Sequence, residues 1–198
     1  MRRAVLLGLA FCLLILTTNC QSAPTVTETV PDTAPETLTD NVPNQLTVAM
    51  SLTTPEGEGA SIGSIRLEDS EYGLLITPEL TGVPLGIHGF HVHMTPACGA
   101  AEKEGKIVPG LAAGGHFDPD QVGQHEGPYS AGHLGDLPPL FAEADGQVSV
   151  PVLAPRLTVS DVVDRALIVH AGADNFADQP MPLGGGGARF ACGVIPLA

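Results

Sequence analysis

Tryptophan is absent from this chain, and aromatic residues of all kinds make up only 4% of its 198 residues. Cations are nearly as scarce: 8 Lys and Arg stand against 22 Asp and Glu, a formal net charge of −14. Two of the eight are Arg2 and Arg3, and positions 1–20 hold no acid, so the remainder carries 6 basic and 22 acidic residues. Nucleic acid and anionic lipid are held by clustered cations that displace counterions. Their scarcity argues against a nucleic-acid partner. The apolar run Ala4 to Leu16 falls short of the roughly 18 residues expected of a spanning helix. Glycine (24) and proline (18), in contrast, are plentiful. That is the composition of many short strands joined by turns, and it disfavours a helical bundle.

Arg2-Arg3 followed by that short apolar run has the order of a signal peptide, expected over residues 1–20. Cys20 closes the segment and resembles the lipid-modified cysteine of bacterial lipoproteins, which implies membrane attachment through lipid. Cleavage a few residues later, or retention of the segment as an anchor, are the alternatives. Residues 21–44 are rich in Thr, Pro, Glu and Asp with no apolar period, the pattern of a flexible linker that cannot offset its ordering entropy. The folded domain is expected over 45–198.

Cys12 lies inside the apolar run and Cys20 at its end, which leaves Cys98 and Cys192 for the folded part. Export places a chain in an oxidising compartment, where two such cysteines suggest one disulfide. Closing so long a loop is worth roughly 4–5 kcal/mol on the chain-entropy argument. Two buried free thiols are the alternative.

From Gln45 onward the pattern is that of strands. Leu46, Val48, Met50 and Leu52 alternate with Thr47, Ala49 and Ser51, a period of two. Further strands are predicted over Ser61–Leu67, Gly73–Leu80, Gln147–Leu153, Arg165–His170 and Ala188–Ile195, with one helical turn over Thr158–Asp164. The stretches Met94–Pro139 and Ala171–Gly187 resist assignment, and loops of that length in a compact domain usually serve function.

The seven histidines lie in or beside those loops: His88, His91, His93, His116, His125, His133 and His170. In an extended Gly86–His93, His91 and His93 share one face while Phe90 and Val92 point to the core. A His-x-His pair on a strand is a compact two-nitrogen metal site, although half-exposed histidines on a strand are commoner. His116, His125, His133 and Asp136 sit among glycines at spacings that fit neither one helical nor one strand face. Three imidazoles and a carboxylate from a floppy loop match a closed four-ligand zinc site. The competing explanation is a solvated polar loop with incidental histidines.

These blocks, with Gly115-His116-Phe117-Asp118-Pro119, Gly132-His133-Leu134-Gly135-Asp136-Leu137-Pro138, Ile168-Val169-His170-Ala171-Gly172 and the closing Gly184–Ile195, are similar to copper/zinc superoxide dismutases of the bacterial periplasmic branch. The resemblance covers Gln45 to Ala198. It implies an all-β fold, a Greek-key eight-stranded β-barrel or immunoglobulin-like sandwich with two long functional loops. It implies an enzyme that disproportionates superoxide, with copper and zinc as cofactors and a periplasmic or cell-envelope location. Monomer and homodimer both remain open.

Carried over by position, the resemblance makes His91, His93, His116 and His170 copper ligands and His116, His125, His133 and Asp136 zinc ligands, with His116 bridging. Asp174 would link His91 to His125 and fix their tautomers. His88 would support the copper ligands from beneath, Arg189 would attract the anionic substrate, and Cys98 would pair with Cys192. Met94-Thr95-Pro96-Ala97 departs from the usual Glu-Asn-Gly character of this stretch, which bears on the local loop shape. Lys103 and Lys106 are either steering charges or solvated ones. The tetraglycine lacks a following Lys-Ser/Thr, so a phosphate loop is rejected. The competing functions are a non-catalytic copper carrier or module of the same fold, which would be expected to have lost a ligand or the arginine although none is missing, and a structural zinc protein, which metal analysis would distinguish.

Overall fold

Alternating burial along Gln45–Thr54 makes the first strand, β1, with Val48 and Met50 turned inward and Thr47 and Ala49 outward. The computed structural model describes residues 43–197; the expected signal segment, Cys20 and nearly all of the linker lie outside the described residues. Chain reversals at Pro55-Glu56 and Glu71-Tyr72 lead into β2 (Gly57–Ser70) and β3 (Gly73–Leu80), each antiparallel to its predecessor. Next come β4 (Gly86–His88) and β5 (Phe90–His93), separated only by Gly89. An outlying hairpin, β6 (Ala101–Lys103) and β7 (Lys106–Val108), is followed by β8 (Leu140–Ala142) and β9 (Val152–Ala154). The helical turn α1 (Val159–Val162) precedes β10 (Arg165–His170) and β11 (Arg189–Ile195).

Seven strands form one antiparallel sheet in the order β5-β10-β11-β1-β2-β3-β9, and β4 pairs with β8 beside it. With β4 and β5 counted as one strand interrupted at Gly89, eight strands surround the core. This is the expected all-β architecture, a curled sheet with almost no helix. Its interior is filled by Val48, Met50, Ile65, Leu67, Ile76, Phe90, Val92 and Leu167, none more than 1% exposed. Burial on that scale is the main force holding the sheet.

Two expectations change in detail. The strand expected over Gln147–Leu153 shrinks to β9, with Val148 making only an isolated bridge to Leu80. Pro151 interrupts it, since proline has no N–H to give to a ladder. The helical turn is shorter than Thr158–Asp164; the Thr158 backbone N–H donates to Asp161 Oδ2 at 2.7 Å and fixes its start.

Cys98 and Cys192 form a disulfide with Cα atoms 5.6 Å apart. It is buried with Ala113, Ala166 and Ile168 and ties the loop after β5 to β11. β11 also packs closely on β1. A Cβ on Gly193 would stand 2.4 Å from the Ala49 carbonyl oxygen and 2.5 Å from Met50 Sδ. Gly193→Ala is therefore expected to destabilise the domain by about 1–3 kcal/mol through overpacking. Denaturant unfolding checks this, and a loss below about 0.5 kcal/mol, the ordinary scatter of surface changes, contradicts it.

Candidate metal centre

β5 carries His91 and His93 on one side while Phe90 and Val92 join the hydrophobic core, and all four are buried. β10 runs antiparallel beside it, with Ile168 opposite His91, and ends at His170. The ring centroid of His170 is 4.9 Å from that of His91 and 5.7 Å from that of His93. His116 arrives from the long loop through an isolated bridge to His93, and its ring stacks on His91 with centroids 4.0 Å apart. That loop is stitched to the edge of β5. The Phe117 N–H donates to the Val92 carbonyl at 2.8 Å, and the Val92 N–H to the Gly135 carbonyl at 2.9 Å. Gly135 cannot be larger here, because a Cβ would fall 2.4 Å from the Val92 oxygen.

The stitching brings three Nδ1 atoms onto one carboxylate oxygen. His125, His116 and His133 Nδ1 lie 2.9, 3.0 and 3.3 Å from Asp136 Oδ1. Ligands about 2.0–2.1 Å from a tetrahedral zinc stand roughly 3.3 Å from one another. Among the described residues, two four-residue groups place their ligand atoms all within 4.8 Å of one another: His91-His93-His116-His170 and His91-His116-His125-Asp136. His116 belongs to both. His133 is left out of the second, where His91 takes its place, although its Nδ1 shares the Asp136 oxygen.

Each remaining ring is held by its other nitrogen. His91 Nε2 lies 2.6 Å from Asp174 Oδ2, and His125 Nε2 lies 2.8 Å from Asp174 Oδ1. His93 Nδ1 is 2.9 Å from the Gly114 oxygen, and His170 Nδ1 is 3.2 Å from that of Gly187. The opposite atoms His91 Nδ1, His93 Nε2 and His170 Nε2 are buried and have no hydrogen-bond partner, while the buried His125 Nδ1 faces only Asp136 Oδ1. Burying a polar atom unpaired is costly, so three such atoms from one four-histidine group fit a cation. His88 lies beneath, with Nδ1 2.7 Å from the His170 oxygen and Nε2 2.7 Å from that of Pro84.

Arg189 opens β11. Its Nη1 donates to the Gly110 oxygen at 2.8 Å and its Nη2 to the Gly114 oxygen at 2.5 Å, the acceptor already used by His93. Thr53 Oγ1 donates to the Arg189 carbonyl at 2.5 Å. Lys103 and Lys106 lie exposed on the β6–β7 hairpin.

Several contributors carry no mark in the sequence. Asp178 accepts from the His125 N–H at 3.0 Å and the Leu183 N–H at 3.1 Å, joining the two long loops. Gly184, at φ +75°, leaves room for Asp174, whose Oδ1 would sit 2.1 Å from a Cβ there. Asp178 stands on no periodic face, and Gly184 is one of four consecutive glycines, so neither could be singled out.

Electrostatics follow burial. Desolvation pushes His91 down to about 3 and His170 to about 4, and also lowers His93 and His116. For His125 burial acts in the same sense, but the Asp136 and Asp174 carboxylates outweigh it and raise the ring to about 9. Burial alone would raise Asp136 and Asp174; bonds from His116 and His125 to the first, and from His125 and His91 to the second, hold both well below the usual carboxylate range.

Residues 61–195 match the family model described as copper/zinc superoxide dismutase. "Superoxide dismutase [Cu-Zn] 2" of Salmonella typhimurium is 54% identical over 149 residues, covering 75% of this chain and 86% of that one. The structure of Cu/Zn superoxide dismutase from Brucella abortus superposes with a TM-score of 0.75 at 50% identity, covering 76% of this chain and 99% of its own. A solution structure of the monomeric copper, zinc superoxide dismutase from Salmonella enterica gives 0.69 at 51% identity, covering 76% of this chain and 99% of its own.

The metal-free protein should be acid-sensitive. His91, His93, His116 and His170 bind protons more weakly folded than unfolded, so their contribution is present above about pH 6.5 and lost as pH falls toward the folded values. His125 runs oppositely, favouring the fold below 6.5 and losing that contribution as pH rises through about 9. Four groups oppose one. The melting temperature of metal-free protein is expected to fall steadily from pH 7 to pH 4; a flat profile would refute the burial argument.

Proposed function

The chain belongs to the copper/zinc superoxide dismutase family, and on that premise we propose how its residues divide the conversion of two superoxide ions and two protons into oxygen and hydrogen peroxide. His91, His93, His116 and His170 hold copper; His116, His125, His133 and Asp136 hold zinc. The observation that carries the division is the set of buried, partnerless imidazole nitrogens whose opposite ring atoms are already engaged. His91 falls in both four-residue groups, but its Nε2 is committed to Asp174, and the single remaining nitrogen serves one cation. His133 Nδ1, at 3.3 Å from Asp136 Oδ1, completes the zinc set.

Copper supplies reversible one-electron chemistry and zinc a redox-inert positive charge. The chain's own residues do the rest. Asp174 accepts N–H bonds from His91 and His125, which leaves Nδ1 of each ring as the basic atom. Gly114 and Gly187 do the same for His93 and His170, freeing Nε2. His116 directs Nδ1 to Asp136 and keeps Nε2 as the atom where a proton can be held and passed to reduced substrate. Arg189, pinned by two carbonyls and half-buried, fixes a cation beside the copper ligands. Superoxide is a small anion and the chain is strongly acidic, so local positive charge must overcome the general repulsion.

The buried Cys98–Cys192 disulfide supports export to an oxidising compartment. With Arg2-Arg3, the apolar run and Cys20, the sequence supports delivery to the periplasm or cell envelope, with lipid on Cys20 as the tether.

Purified protein is expected to hold one copper and one zinc per chain and to lose dismutase activity on chelation; zinc alone in an inactive protein would overturn the reading. Arg189→Ile is expected to lower the rate about tenfold or more while both metals stay bound, the cost of losing a steering cation. Unchanged kinetics at low salt would remove Arg189 from the mechanism.

A further inference from the structure

Arg156 stands two residues beyond β9, outside both loops that carry the ligands, and its guanidinium is spent entirely on backbone. Nε donates to the Pro128 oxygen at 3.1 Å and Nη1 to the Gly132 oxygen at 3.0 Å. Nη2 donates to the His133 oxygen at 2.6 Å and reaches the Gly127 oxygen at 3.4 Å. Gly127, Pro128, Gly132 and His133 are all buried. One planar cation thus joins the outgoing arm of the loop, 127–128, to the returning arm, 132–133.

The same short segment carries the exacting part of the centre. The His133 N–H donates to the Gln124 oxygen at 2.9 Å, and the Asp136 N–H to the His133 oxygen at 3.2 Å, the carbonyl that Arg156 also binds. The Glu126 N–H donates to Asp136 Oδ2 at 3.2 Å. No regular strand or helix spans Gly114–Pro139 to enforce these distances. We propose that Arg156 is a positioning residue for zinc: its guanidinium closes the Gly127–His133 loop and sets His133 and Asp136 at the separation a zinc ion requires. The proposal rests on the reading that His133 and Asp136 hold zinc. Lysine could not substitute, because its three donors leave one atom, whereas the guanidinium spreads five across a plane.

The test compares wild-type holoenzyme with Arg156→Met, Arg156→Lys and His133→Ala. Zinc release to a colorimetric chelator, copper content, the visible spectrum of cobalt placed at the zinc position, and melting of the metal-free form are measured. Arg156→Met is expected to release zinc about 10–100-fold faster, the usual effect of losing a residue that orients a ligand. Copper should stay near one per chain, the cobalt spectrum should change, and metal-free melting should stay near wild type. Arg156→Lys should restore little; if the Met variant does not fold, the Lys variant decides. Wild-type zinc release in either variant overturns the proposal. So does parallel loss of both metals with a lowered metal-free melting temperature, which marks a general structural role. If His133→Ala keeps zinc as wild type does, the zinc assignment itself has failed, and the proposal with it.

Discussion

The histidine cluster of this domain answers to one constraint: imidazole nitrogens of His91, His93 and His170 are removed from water with nothing in the protein to bond them. A buried acceptor without a donor raises the energy of the folded state, and here three, on His91, His93 and His170, belong to one group with ligand atoms within 4.8 Å of one another. The barrel tolerates this because its apolar interior and its disulfide stabilise the fold independently of those atoms. Cations would turn the same arrangement from a weakness into the strongest set of contacts in the molecule.

The two halves of the centre are built on different foundations. His91, His93 and His170 stand on β5 and β10, paired strands whose register fixes their separation to within the stiffness of a sheet. His125, His133 and Asp136 come from irregular chain, and their placement depends on a web of carbonyl and carboxylate contacts contributed from elsewhere. Asp174 and Asp178 supply it from the second long loop, Arg156 from beyond β9. His116 belongs to both systems, bridged to His93 by backbone and facing Asp136 by its side chain. It is the ring through which the rigid half and the assembled half are joined.

Much of this was legible in the residues. The period-two pattern of Leu46 to Leu52 reads directly as a strand because alternation is what a half-buried sheet imposes. His91 and His93 could be placed on one face for the same reason. The pairing of Cys98 with Cys192 followed from composition and compartment. Other features were hidden for a physical reason. Arg156 and Asp178 act through backbone groups, which every residue possesses, so no pattern of side chains announces them. Pro151 did announce the break in the strand expected over Gln147–Leu153, but alternation around it gave the opposite signal. His133 was already grouped with His116, His125 and Asp136 in the sequence; that Asp174 occupies His91 Nε2 is a matter of geometry that no spacing expresses.

β11, the last strand of the chain, lies in the middle of the sheet, between β10 and β1. It also bears Cys192 and Arg189. A polypeptide still being synthesised therefore lacks the piece that joins its opening strand to its penultimate one, and contacts between such distant segments form slowly even when available. The sheet can close and the disulfide can form only once β11 has been made and has paired with β1 and β10.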